Sequence, residues 1–287
     1  MRIAAVTSLV ITTLVCSVAA QAPAPAVANA EAVIAVEREF AADGATRGWA
    51  ASFRRYHAPD AIVLQPDPIK AEITLAKVDG DGPNTLLWRP SYAGIARSGD
   101  FGFTTGPVQI RGQDGVRSHY FTIWRKQADG SWKWIFDAGC DVSDLNPLPA
   151  DADVPMLPVA AQGTGSAKSA IDAVGAIEDA ALVDARGAVG RLLASLSADA
   201  RVNRAGQRPA AGQPAAADLM RQDGSVTFKS LMRESSSSGD LAFTLGEARD
   251  QFEGKERLRY YARVWQWRPE GWRLVFDELV PRRVPPG

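Results

Sequence analysis

SGDFGFTTG at 98–106, followed after a short polar insert by HYFTIWRKQADGSWKWIFD at 119–137, decides the fold of this chain. Both pieces return, as SGDLAFTLG at 238–246 and YYARVWQWRPEGWRLVFD at 260–277. Ser98 and Ser238 stand 140 positions apart. Each copy opens on a Ser-Gly-Asp turn, runs into an aromatic strand and closes with two strands whose tryptophans flank a Gly-containing turn, the pattern of antiparallel hairpins. The chain's 287 residues allow one or two domains of about 100 to 200 residues each, and the repeat selects two. No nucleophile, metal or phosphate motif lies inside the repeated stretch.

Upstream of the first copy, Val33, Val36 and Phe40, then Trp49, Phe53 and Tyr56, recur at three- and four-residue spacing. This predicts helix over 31–57, bent around Gly44 and Gly48, with Glu37, Arg38, Glu39, Arg54 and Arg55 on the solvent side. The second copy keeps the pattern through Val174 and Ile177, then Val189, Leu193 and Leu196. Strands are expected at 61–65, 86–96, 101–110, 116–126 and 131–138, with a Pro- and Gly-containing excursion from Pro66 to Pro83. The fold class is therefore α+β: two tandem domains, each with N-terminal helices packed on a strongly curved antiparallel sheet. The domains are assigned to 31–139 and 171–280, with a Pro/Gly-rich linker at 140–170 and a tail at 281–287. Within the linker, GTGSAKS departs from a phosphate loop, because Ala167 stands where a Gly must precede the Lys and no strand comes before it.

Residues 1–20 join Arg2 to an apolar, charge-free run ending in Val18-Ala19-Ala20 and read as a cleaved signal peptide, followed by a Pro/Ala spacer at 21–30. The expected localisation is export, periplasmic or secreted, with no membrane association after signal removal. Cys140 is then the only cysteine left, so stability must come from packing rather than an internal disulfide. A formal net charge of −1 with scattered Lys and Arg excludes a nucleic-acid footprint. The 46% of hydrophobic residues suffices for two ordinary cores.

The bent helices, the Ser-Gly-Asp-aromatic strand and the closing WRKQADGSWK unit resemble the nuclear transport factor two-like superfamily, and more closely its short exported domains without assigned activity. The resemblance spans about 31–139 and 171–280. It implies that the helices close one face of each sheet into a cone whose interior is the pocket. It says little of function, because that fold hosts isomerases, dehydratases, cyclases, scaffolds and binding proteins. By similarity to the kinase-association members, Tyr120, Thr122 and Trp124 face inward, as do Tyr261, Arg263 and Trp265. The last strands then turn Lys133, Ile135 and Asp137 inward, with Arg273, Val275 and Asp277 in the second copy. Pairing through the outer sheet faces is implied too, internally between the two domains or otherwise as a homodimer.

Asp137 and Asp277 are the candidate acid/base carboxylates if they line an apolar cone; at an exposed strand end they would cap a turn or pair with an Arg. Both histidines, His57 and His119, lie in copy one, opposite Ser197 and Tyr260 in copy two. His119 beside Tyr120 is a candidate proton carrier, and two histidines without clustered Cys or acids make no metal site. Trp124 with Trp265 and Trp132 with Trp272 match between copies and suit core filling, whereas Trp49 and Trp88, replaced by Val189 and Phe228, suit a pocket. No cofactor is implied. The expected function is binding of a small, partly apolar molecule in the first cone by Trp49, His57, Trp88, Thr122 and Trp124. In that reading the second domain, with Tyr261, Arg263 and Asp277, is mainly structural. The alternatives are an acid/base isomerase or dehydratase using Asp137 with Tyr120 or His119, and a structural or protein-interaction module.

Overall fold

The computed structural model describes residues 28–78, 86–144, 146–182 and 187–283. The signal peptide assigned to 1–20, most of the spacer and the last residues of the tail lie outside them. The first half opens with α1 (Glu31–Arg47) and α2 (Trp49–Tyr56). They part at Gly48, whose φ of 94° is a left-handed conformation that favours glycine. Gly44 stays helical and serves packing instead: a Cβ there would lie 2.5 Å from the Trp88 indole.

The chain then runs directly into β1 (His57–Leu64), β2 (Pro68–Lys70), α3 (Ala71–Leu75), β3 (Leu86–Trp88), β4 (Tyr92–Ile95), β5 (Phe101–Ile110), β6 (Val116–Lys126) and β7 (Trp132–Asp144). The expected excursion after Pro66 thus holds a short strand and a helix, and 86–96 divides into two strands. The sheet order is β2-β1-β7-β6-β5-β3, with β4 also on β5; β1 and β7 run parallel and the other neighbours antiparallel.

The second half repeats this plan. It comprises α4 (Ala167–Leu182), α5 (Ala188–Ser195), β8 (Leu196–Arg204), β9 (Ala210–Ala211), α6 (Gln213–Arg221), β10 (Thr227–Ser235), β11 (Leu241–Phe252), β12 (Lys255–Arg268) and β13 (Gly271–Pro281). Its sheet order is β10-β11-β12-β13-β8-β9, again with one parallel pair, β8 and β13. The architecture is α+β, two sheets each with helices packed against it.

Both hairpins carry a register shift at the same place, between Ile123 and Trp124 against β7, and between Val264 and Trp265 against β13. A bulge inserts one residue and inverts the facing of the strand beyond it. Trp134 therefore lies opposite Trp124 and Asp137 opposite Thr122. The inward placement of Lys133 and Ile135 is corrected accordingly: the Lys133 ammonium donates to the Arg55 carbonyl. Likewise Arg273 turns to Glu270 at the surface and Val275 joins the apolar layer between the sheets.

That layer is formed by the outer faces of the two sheets. Phe121 stacks on Phe276 at 4.1 Å, Phe103 meets Phe276 at 6.1 Å, and Phe136 meets Phe243 at 5.0 Å. Phe103 and Phe243 are equivalent positions of the repeat, as are Phe136 and Phe276, so the last two contacts are reciprocal. The turns repeat the relation: Arg97 N donates to Asp240 and Ser237 N to Asp100, each at 3.1 Å, while the Ser98 and Ser238 hydroxyls meet at 2.8 Å. Reciprocity of this kind is the mark of a twofold axis, here inside one chain. Burial of each Phe contributes about 1.5–3 kcal/mol. The linker does not hang free; Leu157 N donates to Ala93 O at 2.8 Å, and Gln266 of β12 donates to Pro158 O at 2.8 Å.

Candidate functional site

The first cone is closed on its helical side by α1, which presents Val33, Glu37 and Phe40 along one face at helical spacing. Glu37 is fully buried rather than on the solvent side. The physical reason is a complete set of donors: Trp88 Nε1 at 2.7 Å, Trp124 Nε1 at 3.1 Å and the Thr104 hydroxyl. Burial pushes its carboxyl up to about 7, against the pull of Thr104, Trp88 and Trp124. The signal available in the sequence was its repetition: VIAVE at 33–37 recurs as VGAIE at 174–178.

From the sheet side come Tyr120 and Asp137. Asp137 is mid-strand, because β7 continues to Asp144. The Thr122 hydroxyl donates to its Oδ2 at 2.6 Å. Burial drives this carboxyl well above its ordinary value, Thr122 draws it back, and the nearby Glu37 and Glu278 raise it further. Tyr120 is 7% exposed, with its hydroxyl buried. Both residues line a cavity of about 380 Å³ walled by Trp49, Phe53, Val63 and Trp88.

Of the residues singled out from the sequence, Asp137, Tyr120, Trp49 and Trp88 therefore meet at one cavity. Thr122 and Trp124 stand behind its wall, the one on Asp137 and the other on Glu37. His57 lies outside the lining, its Nδ1 2.8 Å from Ala58 O and its ring against Trp134. His119 pairs within the sheet opposite Cys140 and Pro107, also outside the lining, so it does not join Tyr120 as a proton carrier. Adjacent strand residues point to opposite faces, and Tyr120 takes the inner one.

The second cone keeps the same frame with a different filling. Thr244 and Tyr261 donate to Glu178 at 2.6 and 3.1 Å, as Thr104 and the two indoles do to Glu37. Arg263 occupies the position of Thr122. It is 1% exposed and bonds Asp277 at 2.7 Å and Glu178 at 3.3 Å. Its guanidinium lies 3.9 Å from the Tyr261 ring and 4.2 Å from that of Phe228. Arg204, on β8, reaches the other Asp277 oxygen and bridges to Asp223. Burial alone would raise the Asp277 carboxyl, but Arg204 and Arg263 outweigh it and hold it below its ordinary value.

These contacts define the chemistry of the first cavity. The Asp137 carboxyl, which burial shifts toward its neutral form, meets an aromatic-walled space, an arrangement suited to hold a carbonyl or ether oxygen. Among the described residues no group of three His, Cys, Asp or Glu is placed to hold a metal ion.

No protein-family model matches the chain, and no curated protein matches it. Solved structures similar to it are NTF2-like proteins. One is an NTF2-like protein of unknown function from Pseudomonas putida KT2440, 14% identical, covering 40% of this chain and 89% of its own, with a TM-score of 0.35. Another, from Novosphingobium aromaticivorans and described as NTF2-like with a cystatin-like fold, is 18% identical over 40% of this chain and 80% of its own, with a TM-score of 0.30. An LEH-like epoxide hydrolase of M. tuberculosis is 19% identical over 39% of this chain and 84% of its own, with a TM-score of 0.30.

Proposed function

We propose that the chain is an exported binding protein whose first cone holds a small, partly apolar molecule through a hydrogen-bond acceptor, and whose second domain is mainly structural. The observation that carries this is the cavity of about 380 Å³ walled by Trp49, Phe53 and Trp88, with the partly exposed Asp137 on its lining. The aromatic walls add about 25 cal/mol for each Å² of apolar ligand surface they cover. Burial shifts Asp137 toward its neutral form, which favours holding an oxygen over abstracting a proton, a step that needs an ionised base.

The test is a calorimetric screen of small apolar ketones, amides and ethers against the protein and its Thr122→Arg variant, which copies Arg263 into the first cone. Ligands should bind the parent and fail to bind the variant. Equal binding to both would place the ligand elsewhere and remove this reading. A second reading, an isomerase or dehydratase using Asp137 with Tyr120, is favoured by the two residues lining one cavity. It requires turnover of a substrate with an acidic C–H beside a carbonyl, lost on Asp137→Asn. Export rests on Arg2, the apolar run and Val18-Ala19-Ala20. N-terminal sequencing of protein recovered outside the cytoplasm should begin at or close to Gln21, and an intact Met1 would refute it.

A further inference from the structure

The mouth of the first cavity is built by both domains. Val280, Pro281 and Arg283, at and beyond the end of β13, line it together with Arg117 and Asp141 of the first domain. The tail is tied down where it arrives. Arg282 donates to both oxygens of Asp67, at 2.7 Å to Oδ2, and the Tyr260 hydroxyl donates to the same carboxylate. Arg282 and Tyr260 pull the Asp67 carboxyl down to about 2. This clamp holds Arg283 over the opening, 2.6 Å from Asp141, with the two side chains 57% and 68% exposed. Arg117 is exposed at the same rim and makes no ion pair among the described residues.

The rim thus carries two guanidiniums against one carboxylate, and an exposed pair such as Arg283 with Asp141 exchanges readily in water. Burial raises both interior carboxyls, Asp137 and Glu37, and so weakens their opposition to an incoming anion. Asp141 stands four residues beyond Asp137 on an extended strand, with regular pairing between them. At about 3.3 Å per residue, Asp137 and the rim are about 13 Å apart.

We propose that the cavity takes an apolar acid: its hydrogen-bond acceptor lies at Asp137, its apolar body between Trp49 and Trp88, and its carboxylate or sulfonate at Arg117 and Arg283. This rests on the binding reading above. It adds the charge of the ligand, and it gives the second domain a residue in the site of the first.

Two dyes with one ring system test it: anilinonaphthalene sulfonate and its neutral parent, phenylnaphthylamine, titrated by fluorescence into the full chain. The sulfonate should bind about fivefold more tightly than the neutral dye, the effect of one exposed ion pair, and added salt should erase the difference. In the Arg117→Gln/Arg283→Gln variant the affinity ratio should fall to about one. Asp141→Asn, which frees Arg283, should raise it above the parent's ratio. All three positions are exposed, so these variants keep the fold. A neutral dye that binds as tightly as the sulfonate, or a ratio unmoved by the double substitution, would overturn the inference while leaving the cavity reading intact. Thr122→Arg separates the two: retention of both dyes by that variant would overturn the cavity reading, and this inference with it.

Discussion

The two cones hold the same carboxyl pair, Glu37 with Asp137 and Glu178 with Asp277, and the same tyrosine and tryptophan around it, yet they differ opposite the strand carboxyl. There the first has Thr122 and the second Arg263. The Arg263 guanidinium takes the space beside the strand carboxyl and, together with Arg204, holds the Asp277 carboxyl below its ordinary value. The threonine brings no charge, so burial raises the Asp137 carboxyl well above its ordinary value where it lines the cavity of about 380 Å³. The charge state of the strand carboxyl therefore follows from whether guanidiniums reach it, two in the second cone and none in the first among the described residues.

The most severe way to break the comparison is to remove the clamp. Arg263→Ala leaves Glu178 and Asp277 buried with less compensation, and breaking a buried pair costs about 3–5 kcal/mol. Asp277→Asn should cost a similar amount by stranding Arg263 and Arg204. Urea denaturation measures both, and a loss below about 1 kcal/mol would mean that the second cone is not held by its charges.

The next effect is in pH, and the cones should respond with opposite sign. The Glu37 carboxyl is raised from 4.5 to about 7 in the folded protein. Its protonated form therefore contributes stability that is present below pH 4.5 and lost as pH rises through about 7. The span is about 3 kcal/mol at 1.36 kcal/mol per unit. Asp277, held below 3.8, contributes stability present above that value and lost as pH falls through its folded value. Melting temperatures across pH should show the parent losing ground to Glu37→Gln between pH 4.5 and 7. A constant difference between the two proteins would contradict a protonated Glu37.

The smallest effect sharpens the contrast. Burial shifts Asp137 toward its neutral form, so its replacement by a neutral amide in Asp137→Asn should move stability by less than about 1 kcal/mol. Ligand affinity should fall about tenfold, or about 1.4 kcal/mol, through loss of the acidic donor. A variant as damaged in stability as Asp277→Asn would show that the first carboxyl is structural too.

The repeat and its hairpin turns made the α+β architecture legible, and the inward facing of Tyr120, Thr122 and Trp124 agreed with the family resemblance. The facing of β7 beyond its turn was not legible, because one inserted residue moves Trp134 inward and Lys133 outward without any mark in the composition. Glu37 was misplaced because helical period assigns charge to solvent unless partners are known, and its partners come from β3, β5 and β6. Arg204 was hidden for a related reason: its repeat counterpart is Gln65, since Val63 lies opposite Asp137 as Val202 lies opposite Asp277, so the duplication gives no hint that β8 sends a cation into the second cone.

The reciprocal contacts of Arg97 with Asp240 and Ser237 with Asp100 put the twofold axis within a single polypeptide. In an assembly of two identical chains around such an axis, every codon change is written into both halves at once, so a threonine that opens one cone would open the other. Here each half has its own copy of the text. One can be edited toward recruiting a guest while its twin is left to anchor the pair, and neither edit has to be tolerated twice.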